Sequence, residues 1–499
     1  MKKKTIKNVF GSIFYQLIYL LCGLLIPRIL IDGYGSNTYA LITSITQFLS
    51  YIILLESGIG VVVKSLFYKA ITKKDEKEIV SIFKSCQGFF NKILIIFVFY
   101  IIMLCIFYPY TSAANTFDKV FTISLILIIS ISTFFEYFFG MTYKLFLQSD
   151  QKSYIISYIQ IITYIINTFV IILLVKLKVD IRIVKLSSSI IFIFRPIFQN
   201  IYVRWKYKFN YTKYDKNYKI PNRYDGLSQH VAGLINSNSD VILLSLFTNI
   251  SNVAIYSIYN MIISNLKSFI NSFIVGTDAA FGLLYANKEE KKLSEVFNLY
   301  ESFYLIIITI IYSCTFILII PFIAVYTKGI TDVNYVNTAF AFTIVLANYV
   351  HSIKNPYNSL AYDVGKFKET KKGAWLEAII NVVVSLILVF KFGLVGVIIG
   401  TLCSVIYRCL DFVIFISNHI LKRNVFQSLK KIFLAMFQTL FLFFISKLFD
   451  FSLITNYIQW IIAAIIIFIV VCLFVFLTSF PFYKKEFKKI IKLLKRRFK

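Results

Sequence analysis

The amino-acid sequence predicts an all-α polytopic membrane protein of about fourteen transmembrane helices. The expected arrangement is two parallel-repeat six-helix lobes around a central cavity, with two extra helices at the C-terminus. Three observations predict it. The 499 residues are 58% hydrophobic with a mean hydropathy of +0.75, whereas soluble domains are roughly 45–50% apolar. Apolar runs of membrane-spanning length recur along the chain. The pattern of the first half also returns in the second half, which indicates a repeated unit.

The predicted spans are apolar segments separated by charged or turn-rich breaks. A helix needs about 20 apolar residues to cross the hydrocarbon core. The basic N-terminus leads into such a run without a small-residue cleavage site, so we expect a first span, not a removed signal. The predicted spans are 8–31, 37–63, 86–108, 120–144, 153–175, 183–204, 224–247, 252–284, 299–326, 336–360, 374–390, 394–417, 429–447 and 455–480.

The basic residues sort to one side of this predicted topology. Most lysines and arginines fall in segments that share the side of the N-terminus. The positive-inside rule then places both termini in the cytoplasm. The same asymmetry explains most of the net charge of +29, so we expect no nucleic-acid partner. One outer loop departs from the rule, since it carries Lys176, Lys178, Arg182 and Lys185.

An internal repeat sets the predicted domain bounds. Residues 375–415 form two apolar helices around a turn at 391–393, with small residues Gly393, Gly396, Gly400 and Ser404 on one face. Such a stripe favours close helix packing, and a degenerate copy lies 213–214 residues earlier. The predicted regions are an N-lobe (1–205), a basic cytoplasmic inter-lobe loop (206–223), a C-lobe (224–420), two added spans (421–482) and a basic cytoplasmic tail (483–499). We expect that tail to lie on the anionic inner leaflet.

The chain lacks the sequence signatures of covalent chemistry. It contains no phosphate-binding G-x-x-x-x-G-K-[ST] loop, no G-x-S-x-G elbow and no H-E-x-x-H motif. The seven cysteines are scattered without a C-x-x-C pair, and the three histidines are far apart. We therefore expect no enzyme activity, no catalytic residues, no metal site and no cofactor.

Polar residues recur at helical spacing on spans 1, 2, 7 and 8, where lipid-facing helices would be apolar. Such stripes face either other helices or water. Four stripes at corresponding positions of two lobes favour a shared water-filled cavity. The candidate substrate-binding residues are Gln16 and Tyr19 on span 1, Gln47 and Ser50 on span 2, Gln229 and Asn236 on span 7, and Asn260, Ser264, Lys267 and Asn271 on span 8. Lys267 has the strongest claim, because it lies in the middle of the longest stripe.

Ionisable residues within the spans are the second class of candidates, because each is expensive in lipid. Asp240, Asp278 and Glu136 are candidate carboxylates for coupling to H⁺ or Na⁺. The other mid-membrane charges are Arg195, Lys354, Arg408 and Asp411. Two structural alternatives stay open, an Arg408–Asp411 pair on one helix and a Glu136–Arg195 pair in the N-lobe. Arg28, Lys64 and Glu377 lie near span ends, where snorkelling to the interface explains a charge.

Three segments resemble a known group of transporters. They are PRILIDGYGSNTYAL at 27–41, DVILLSLFTNISNVAIYSIY at 240–259, and AYDVGKFKETKKGAWLEAIINVVVSLILVFKFGLVGVIIGTLCS at 361–404. With the span pattern, they resemble the polysaccharide-transporter branch of the multidrug/oligosaccharidyl-lipid/polysaccharide exporter superfamily. The related lipid II flippases line their cavity with arginines on spans 1, 2 and 8. Of these three spans, only span 8 has a mid-depth cation here, Lys267, while spans 1 and 2 carry Tyr19 and Ser50.

This resemblance implies a multi-pass flippase in the bacterial cytoplasmic (inner) membrane. The implied cargo is an undecaprenyl-pyrophosphate-linked oligosaccharide repeat unit for O-antigen (lipopolysaccharide), capsule or exopolysaccharide synthesis, moved between leaflets by alternating access. Implied partners are membrane lipids, H⁺ or Na⁺, and a polysaccharide polymerase with glycosyltransferases. Two alternatives remain: a multidrug/cation antiporter on the same fold, and a non-transporting membrane scaffold of polysaccharide synthesis. The cationic midplane disfavours the antiporter, and a scaffold has no need of aligned polar stripes.

Overall fold

The computed structural model confirms an all-helical protein. It describes residues 2–52, 59–215, 218, 220, 227–271, 278–451, 453–484 and 486–487. About 85% of the described residues are helical, and they include no strand. Within them, eight helical segments are long and apolar enough to cross a membrane. The all-α membrane fold class predicted from the sequence is therefore correct.

The chain divides into two compact units, Met1–Ser257 and Ile258–Lys499, and each is described by itself. The first unit contains helices α1 (Lys2–Tyr34), α2 (Ser36–Ser50), α3 (Ile59–Lys73), α4 (Glu76–Phe107), α5 (Lys119–Phe135), α6 (Met141–Ser149), α7 (Ser153–Lys176), α8 (Ile181–Tyr207) and α9 (Leu227–Phe247). A π-helical turn, Glu136–Gly140, joins α5 to α6. The unit boundary falls within α10 (Ile250–Asn271).

The second unit continues with helices α11 (Asp278–Ala286), α12 (Glu290–Tyr326), α13 (Thr338–Asp363), α14 (Phe367–Phe415), α15 (Val425–Ser446) and α16 (Tyr457–Ser479). Helix α14 has two arms, 367–392 and 394–415, because Gly393 leaves helical geometry at φ 52° and ψ −124°. Where the structure describes the chain, each predicted span overlaps a helix, a helix arm or a pair of helices. The lobe bounds inferred from the repeat stay a prediction.

Short polar side chains fix where many helices begin. The Asp75, Asp118 and Asp180 carboxylates accept backbone N–H groups in the first turns of α4, α5 and α8. Asn337, Asn424 and Asn456 do the same for α13, α15 and α16. Each cap satisfies an N–H that has no partner within the helix. The predicted span starts at 120, 153 and 336 lie within two residues of the observed helix starts. Those at 86, 299 and 374 lie ten, nine and seven residues inside longer helices, because the first turns of those helices are charged and precede the apolar run.

The first unit is built around α7 and α8. Helix α1 packs along α7, α7 along α8, and α5 along α8. A Cβ atom at Gly140 would overlap the Pro196 ring, so glycine lets the π-helical turn lie against α8. Helix α2 contacts α9, where the Ser44 and Ser245 hydroxyls lie 2.6 Å apart. These contacts leave α1, α2, α7 and α8 around one cavity, described below.

The second unit packs around α12 and α13. Helix α13 lies along α14, and α12 contacts α13, α15 and α16. An apolar cluster formed by Ile317, Leu442, Val471 and Val475 joins α12 to the two C-terminal helices. The two helices outside the predicted repeat are therefore held by side-chain packing against α12.

The predicted small-residue stripe is a contact between the two arms of α14. A Cβ atom at Gly396 would overlap the Leu388 carbonyl, and one at Gly400 would overlap Ser385. The Ser385 hydroxyl donates to the Val397 carbonyl at 2.8 Å, and Ser404 is fully buried. The stripe thus serves helix packing, in agreement with the sequence interpretation.

Replacing Gly400 with valine is expected to destabilise the second unit by about 3 kcal/mol, the upper end for overpacking. The new side chain meets the backbone of Ser385, so the two arms must separate. The matched control is Gly88→Val, where a Cβ atom meets nothing within 4 Å. Thermal melting of the purified chain in a neutral detergent measures both. Equal melting temperatures for the two variants would contradict the packing role of Gly400.

Candidate functional site

A cavity of about 250 Å³ lies in the first unit between α1, α2, α7 and α8. We call it the tyrosine cavity. Apolar side chains and Gly23 form part of its wall. Its main polar lining residues are Tyr19, Tyr39, Thr43, Gln47, Tyr164 and Lys185. Two of the sequence candidates, Tyr19 and Gln47, are therefore brought together here.

A cluster of three tyrosines adjoins this cavity, and two of them, Tyr19 and Tyr164, line it. The rings of Tyr15, Tyr19 and Tyr164 lie 5.5–6.1 Å apart between centroids, within the usual range for aromatic pairs. Tyr19 is 38% exposed, so part of its ring remains accessible. Tyr15 and Tyr19 are one turn apart on α1, but Tyr164 comes from α7. Sequence reasoning missed Tyr164, since only the tertiary fold places it beside α1.

Lys185 is the one cation among the lining residues of the tyrosine cavity, and no carboxylate is among them. The residue is half-buried in α8. The sequence analysis assigned it to an outer loop that departs from the positive-inside rule. Lys185 lines the tyrosine cavity. Its place in the cavity wall explains why this one residue departs from the positive-inside rule. The cavity can thus attract an anionic group while its aromatic and amide groups contact polar neutral ones.

Two hydroxyl groups on α2, those of Thr43 and Ser50, are bonded to their own helix. Thr43 donates to the Tyr39 carbonyl at 3.0 Å, and Ser50 donates to the Gln47 carbonyl at 2.6 Å. Such back-bonding satisfies a hydroxyl within the helix. Ser50, a sequence candidate for substrate binding, therefore serves its own helix in this structure, and the half-buried Gln47 side chain lines the cavity.

Three further candidates of the first unit lie outside the lining of the tyrosine cavity, namely Gln16, Asn236 and Asp240. Gln16 on α1 and Asn236 on α9 are half-buried. Asp240 is buried, and the Tyr256 hydroxyl donates to its carboxylate at 3.3 Å. The Gln229 side chain lies outside the described ones.

A second cavity of about 250 Å³, the Arg195 cavity, lies in the same unit beside the π-helical turn. Its polar lining residues are Ser132, Glu136, Lys144, Gln160, Arg195 and Gln199. The Glu136 carboxylate pairs with the Lys144 ammonium at 2.9 Å, and no ion pair joins Glu136 to Arg195, both of which the structure describes. The sequence alternative of a Glu136–Arg195 pair is therefore wrong. The π-helical turn places Lys144, rather than Arg195, within reach of Glu136.

Arg195 is held by aromatic rings and one hydroxyl. Its guanidinium carbon lies 4.4 Å from the Tyr164 ring centroid and 4.0 Å from that of Phe192, a cation–π arrangement. Its Nε donates to the Thr163 hydroxyl at 2.7 Å. Because Tyr164 lines the tyrosine cavity and Arg195 lines the other, this stacked pair lies between the two cavities.

The longest polar stripe lies on α10, mostly in the second unit. Lys267 and Asn260 are half-buried, and Ser264 and Asn271 are exposed. Asn271 accepts from the Asn355 side-chain amide on α13 at 3.5 Å. Lys267 and Lys354 both lie within electrostatic range of His351. The Asp278 side chain lies outside the described ones.

A buried ionic network joins α13 to the two arms of α14. The Lys354 ammonium lies 2.7 Å from the Glu377 carboxylate, and the Arg408 guanidinium lies 3.5 Å from it. Arg408 also pairs with Asp411, as one sequence alternative supposed. Glu377 is only 7% exposed, so the snorkelling interpretation of this residue is wrong. Glu377 can be buried because two cations that are distant in sequence, Lys354 and Arg408, compensate its charge.

Another buried network joins α12, α13 and α15. The Glu301 carboxylate is 0% exposed and lies 2.7 Å from both Arg423 and Lys431. It also accepts hydrogen bonds from the Tyr357 and Ser428 hydroxyls at 2.6 and 2.7 Å. Sequence reasoning missed Glu301. The available signal was a carboxylate just inside span 9, with basic residues at the start of span 13.

Metal binding has no structural candidate in the described ranges. There, no group of three or more His, Cys, Asp or Glu side chains is placed to hold a metal ion. The groups that the structure does bring together are ion pairs, aromatic clusters and amides. Ion pairs, aromatic clusters and amides can bind polar and ionic ligands without covalent chemistry.

Comparison with known proteins identifies the fold. No protein-family model and no curated protein matches the sequence. Among solved structures, the lipid II flippase MurJ in an inward closed conformation is similar at TM-score 0.70 and 16% identity, covering 96% of this chain and 99% of that chain. A multidrug resistance MATE family transporter of the MOP superfamily, inward-facing, is similar at TM-score 0.59 and 12% identity, covering 81% and 95%. A MATE transporter of Vibrio cholerae in its bent form gives TM-score 0.53 and 13% identity over 87% and 97%.

These likenesses show a shared fold over most of the chain. The protein is thus a multi-pass, all-helical membrane protein with the architecture seen in MurJ and in MATE transporters. That architecture agrees with the superfamily-level fold expected from the sequence resemblance. At identities of 12–16%, these likenesses show the fold and neither the substrate nor the branch of the superfamily.

Proposed function

We propose that the chain is a flippase of the cytoplasmic membrane that moves an undecaprenyl-pyrophosphate-linked oligosaccharide to the outer leaflet by alternating access. The tyrosine cavity carries this proposal, because it combines aromatic rings, an amide and one lysine without a carboxylate among its lining residues. The fold likeness to a lipid II flippase over 96% of the chain supports it. We propose no enzyme activity.

The chemistry of the candidate residues suits this cargo. Sugar hydroxyls donate hydrogen bonds to, and accept them from, an amide such as that of Gln47. Sugar rings pack on aromatic faces such as that of Tyr19. A lysine ammonium attracts a pyrophosphate as a compact point charge. Lys185 in the first unit and Lys267 in the second supply that charge. We also propose that the repeat unit serves the synthesis of O-antigen, capsule or exopolysaccharide. The proposed partners are a polysaccharide polymerase and glycosyltransferases, and both chain termini are proposed to lie in the cytoplasm.

A multidrug/cation antiporter is the second candidate, because MATE transporters share the fold. Tyrosines also suit organic cations through cation–π contacts. Lys185 opposes this candidate, since a cation in the wall of a cavity repels cationic drugs. A non-transporting scaffold is the third candidate, and it leaves the cavity without a role.

Coupling to H⁺ or Na⁺ is proposed through one of three carboxylates. Asp240 is buried against Tyr256, and Glu136 is paired with Lys144, so each has a partner that would respond to its protonation. Asp278 is the third candidate. If none of them couples transport, the lipid gradient or downstream polymerisation supplies the drive.

Depletion of this protein in its native cell tests the flippase against the antiporter. The flippase proposal predicts that surface polysaccharide falls and that the lipid-linked oligosaccharide accumulates on the cytoplasmic side. Sensitivity to cationic dyes should remain unchanged. Normal surface polysaccharide together with increased dye sensitivity would favour the antiporter.

A further inference from the structure

The Arg195 cavity has an excess of positive charge around an internal space. Lys144 and Arg195 face one carboxylate, Glu136, and that carboxylate already lies 2.9 Å from Lys144. No acidic side chain among the described residues forms an ion pair with Arg195. A cation in a membrane-spanning segment is costly without a counter-charge. The charges of this cavity therefore favour an anionic ligand.

The Arg195 guanidinium is held ready to bind such a ligand. Thr163 accepts from Nε at 2.7 Å, and the Tyr164 and Phe192 rings fix the plane of the group. A guanidinium whose plane is fixed in this way matches the geometry of a carboxylate or phosphate oxygen.

The neutral part of the lining fits an oxyanion and its water. Gln160, Gln199 and Ser132 offer donors and acceptors, and Gln199 is only 5% exposed. The cavity of about 250 Å³ exceeds the roughly 30 Å³ that one water molecule occupies in the liquid. It therefore has room for a phosphate-sized ion with several waters.

We propose that the Arg195 cavity is a binding site for a phosphate-sized oxyanion, held by Arg195 and Lys144, with Glu136 competing for Lys144. The ligand is a free ion or the phosphate of a lipid headgroup. This site is separate from the tyrosine cavity and lies on the other side of the Tyr164–Arg195 stack.

The test measures the melting temperature of the full-length purified chain in a neutral maltoside detergent while inorganic phosphate is titrated. Sodium chloride at matched ionic strength is the reference. Wild type should show a saturable phosphate-dependent rise. Arg195→Gln should weaken phosphate affinity by at least about tenfold, the loss of one charge-assisted hydrogen bond. The matched control, Arg182→Gln, removes an exposed cation from the same helix and should bind as wild type does.

A second variant keeps the proposal falsifiable if Arg195→Gln fails to fold. Glu136→Gln removes the competing carboxylate and should tighten phosphate binding. Phosphatidylglycerol mixed into the micelles separates the two sources, because a headgroup ligand predicts a shift with this lipid that Arg195→Gln reduces. Four outcomes overturn the proposal: no phosphate-dependent shift in wild type with either probe, an equal shift in Arg195→Gln, a shift reproduced by sodium chloride, or unchanged or weaker phosphate binding in Glu136→Gln.

Discussion

Replacing Glu301 with alanine is expected to lower the free energy of unfolding by about 3–5 kcal/mol, the range for removing one partner of a buried ion pair. The carboxylate is fully buried and contacts both Arg423 and Lys431. Without it, two cations remain close together at the junction of α12 and α15.

The control for Glu301 is on the same helix. Glu290 pairs with Lys422 at the surface, where its side chain is 54% exposed. Glu290→Ala is expected to cost no more than about 1 kcal/mol, as exposed pairs do. Thermal melting in a neutral detergent compares the two variants. A Glu301→Ala protein as stable as Glu290→Ala would show that the buried network contributes little.

Replacing Lys267 with alanine is expected to abolish surface polysaccharide while the protein still accumulates in the membrane. Loss of a charge-assisted bond to pyrophosphate costs about 1.5–3 kcal/mol, which is roughly 10- to 100-fold in affinity. Lys267→Glu should also abolish surface polysaccharide, because the new carboxylate repels the pyrophosphate. Lys267→Arg keeps the charge, and partial activity is expected.

Lys292 provides the matched control for Lys267. Its side chain is 65% exposed, and it pairs with Glu289, the residue just before α12, from the first turn of that helix. Lys292→Ala should therefore leave surface polysaccharide unchanged. The measurement is the amount of surface polysaccharide per cell at equal levels of membrane protein. Normal polysaccharide with Lys267→Ala would remove this residue from the proposed binding site.

The helices could be predicted from the sequence because their signals are local. An apolar run of sufficient length, a capping residue such as Asp118 and a turn at Gly393 each act within a few residues. The stripe from Gly396 to Ser404 was likewise interpreted correctly as helix packing. These features needed no knowledge of which helices are neighbours.

The site could be predicted only in part, since its groups come from distant segments. Tyr19 and Gln47 were found from their helical spacing, whereas Tyr164 and Lys185 reach the same cavity from α7 and α8. The burial of Glu377 was missed because its depth in the membrane was counted from the end of its own helix. Its burial depends on Lys354 and Arg408, which only the tertiary structure brings to it. Long-range ion pairs leave no spacing pattern in a sequence.

Transport by the purified protein in sealed lipid vesicles is the most direct test of the flippase proposal. A fluorescent undecaprenyl-pyrophosphate-linked oligosaccharide is placed in one leaflet, and its appearance in the other is followed by quenching from outside. The proposal predicts that wild-type protein accelerates this movement and that Lys267→Ala does not, while Lys292→Ala does. Movement at the protein-free rate, together with uptake of a cationic dye by the same vesicles, would contradict it and favour the antiporter.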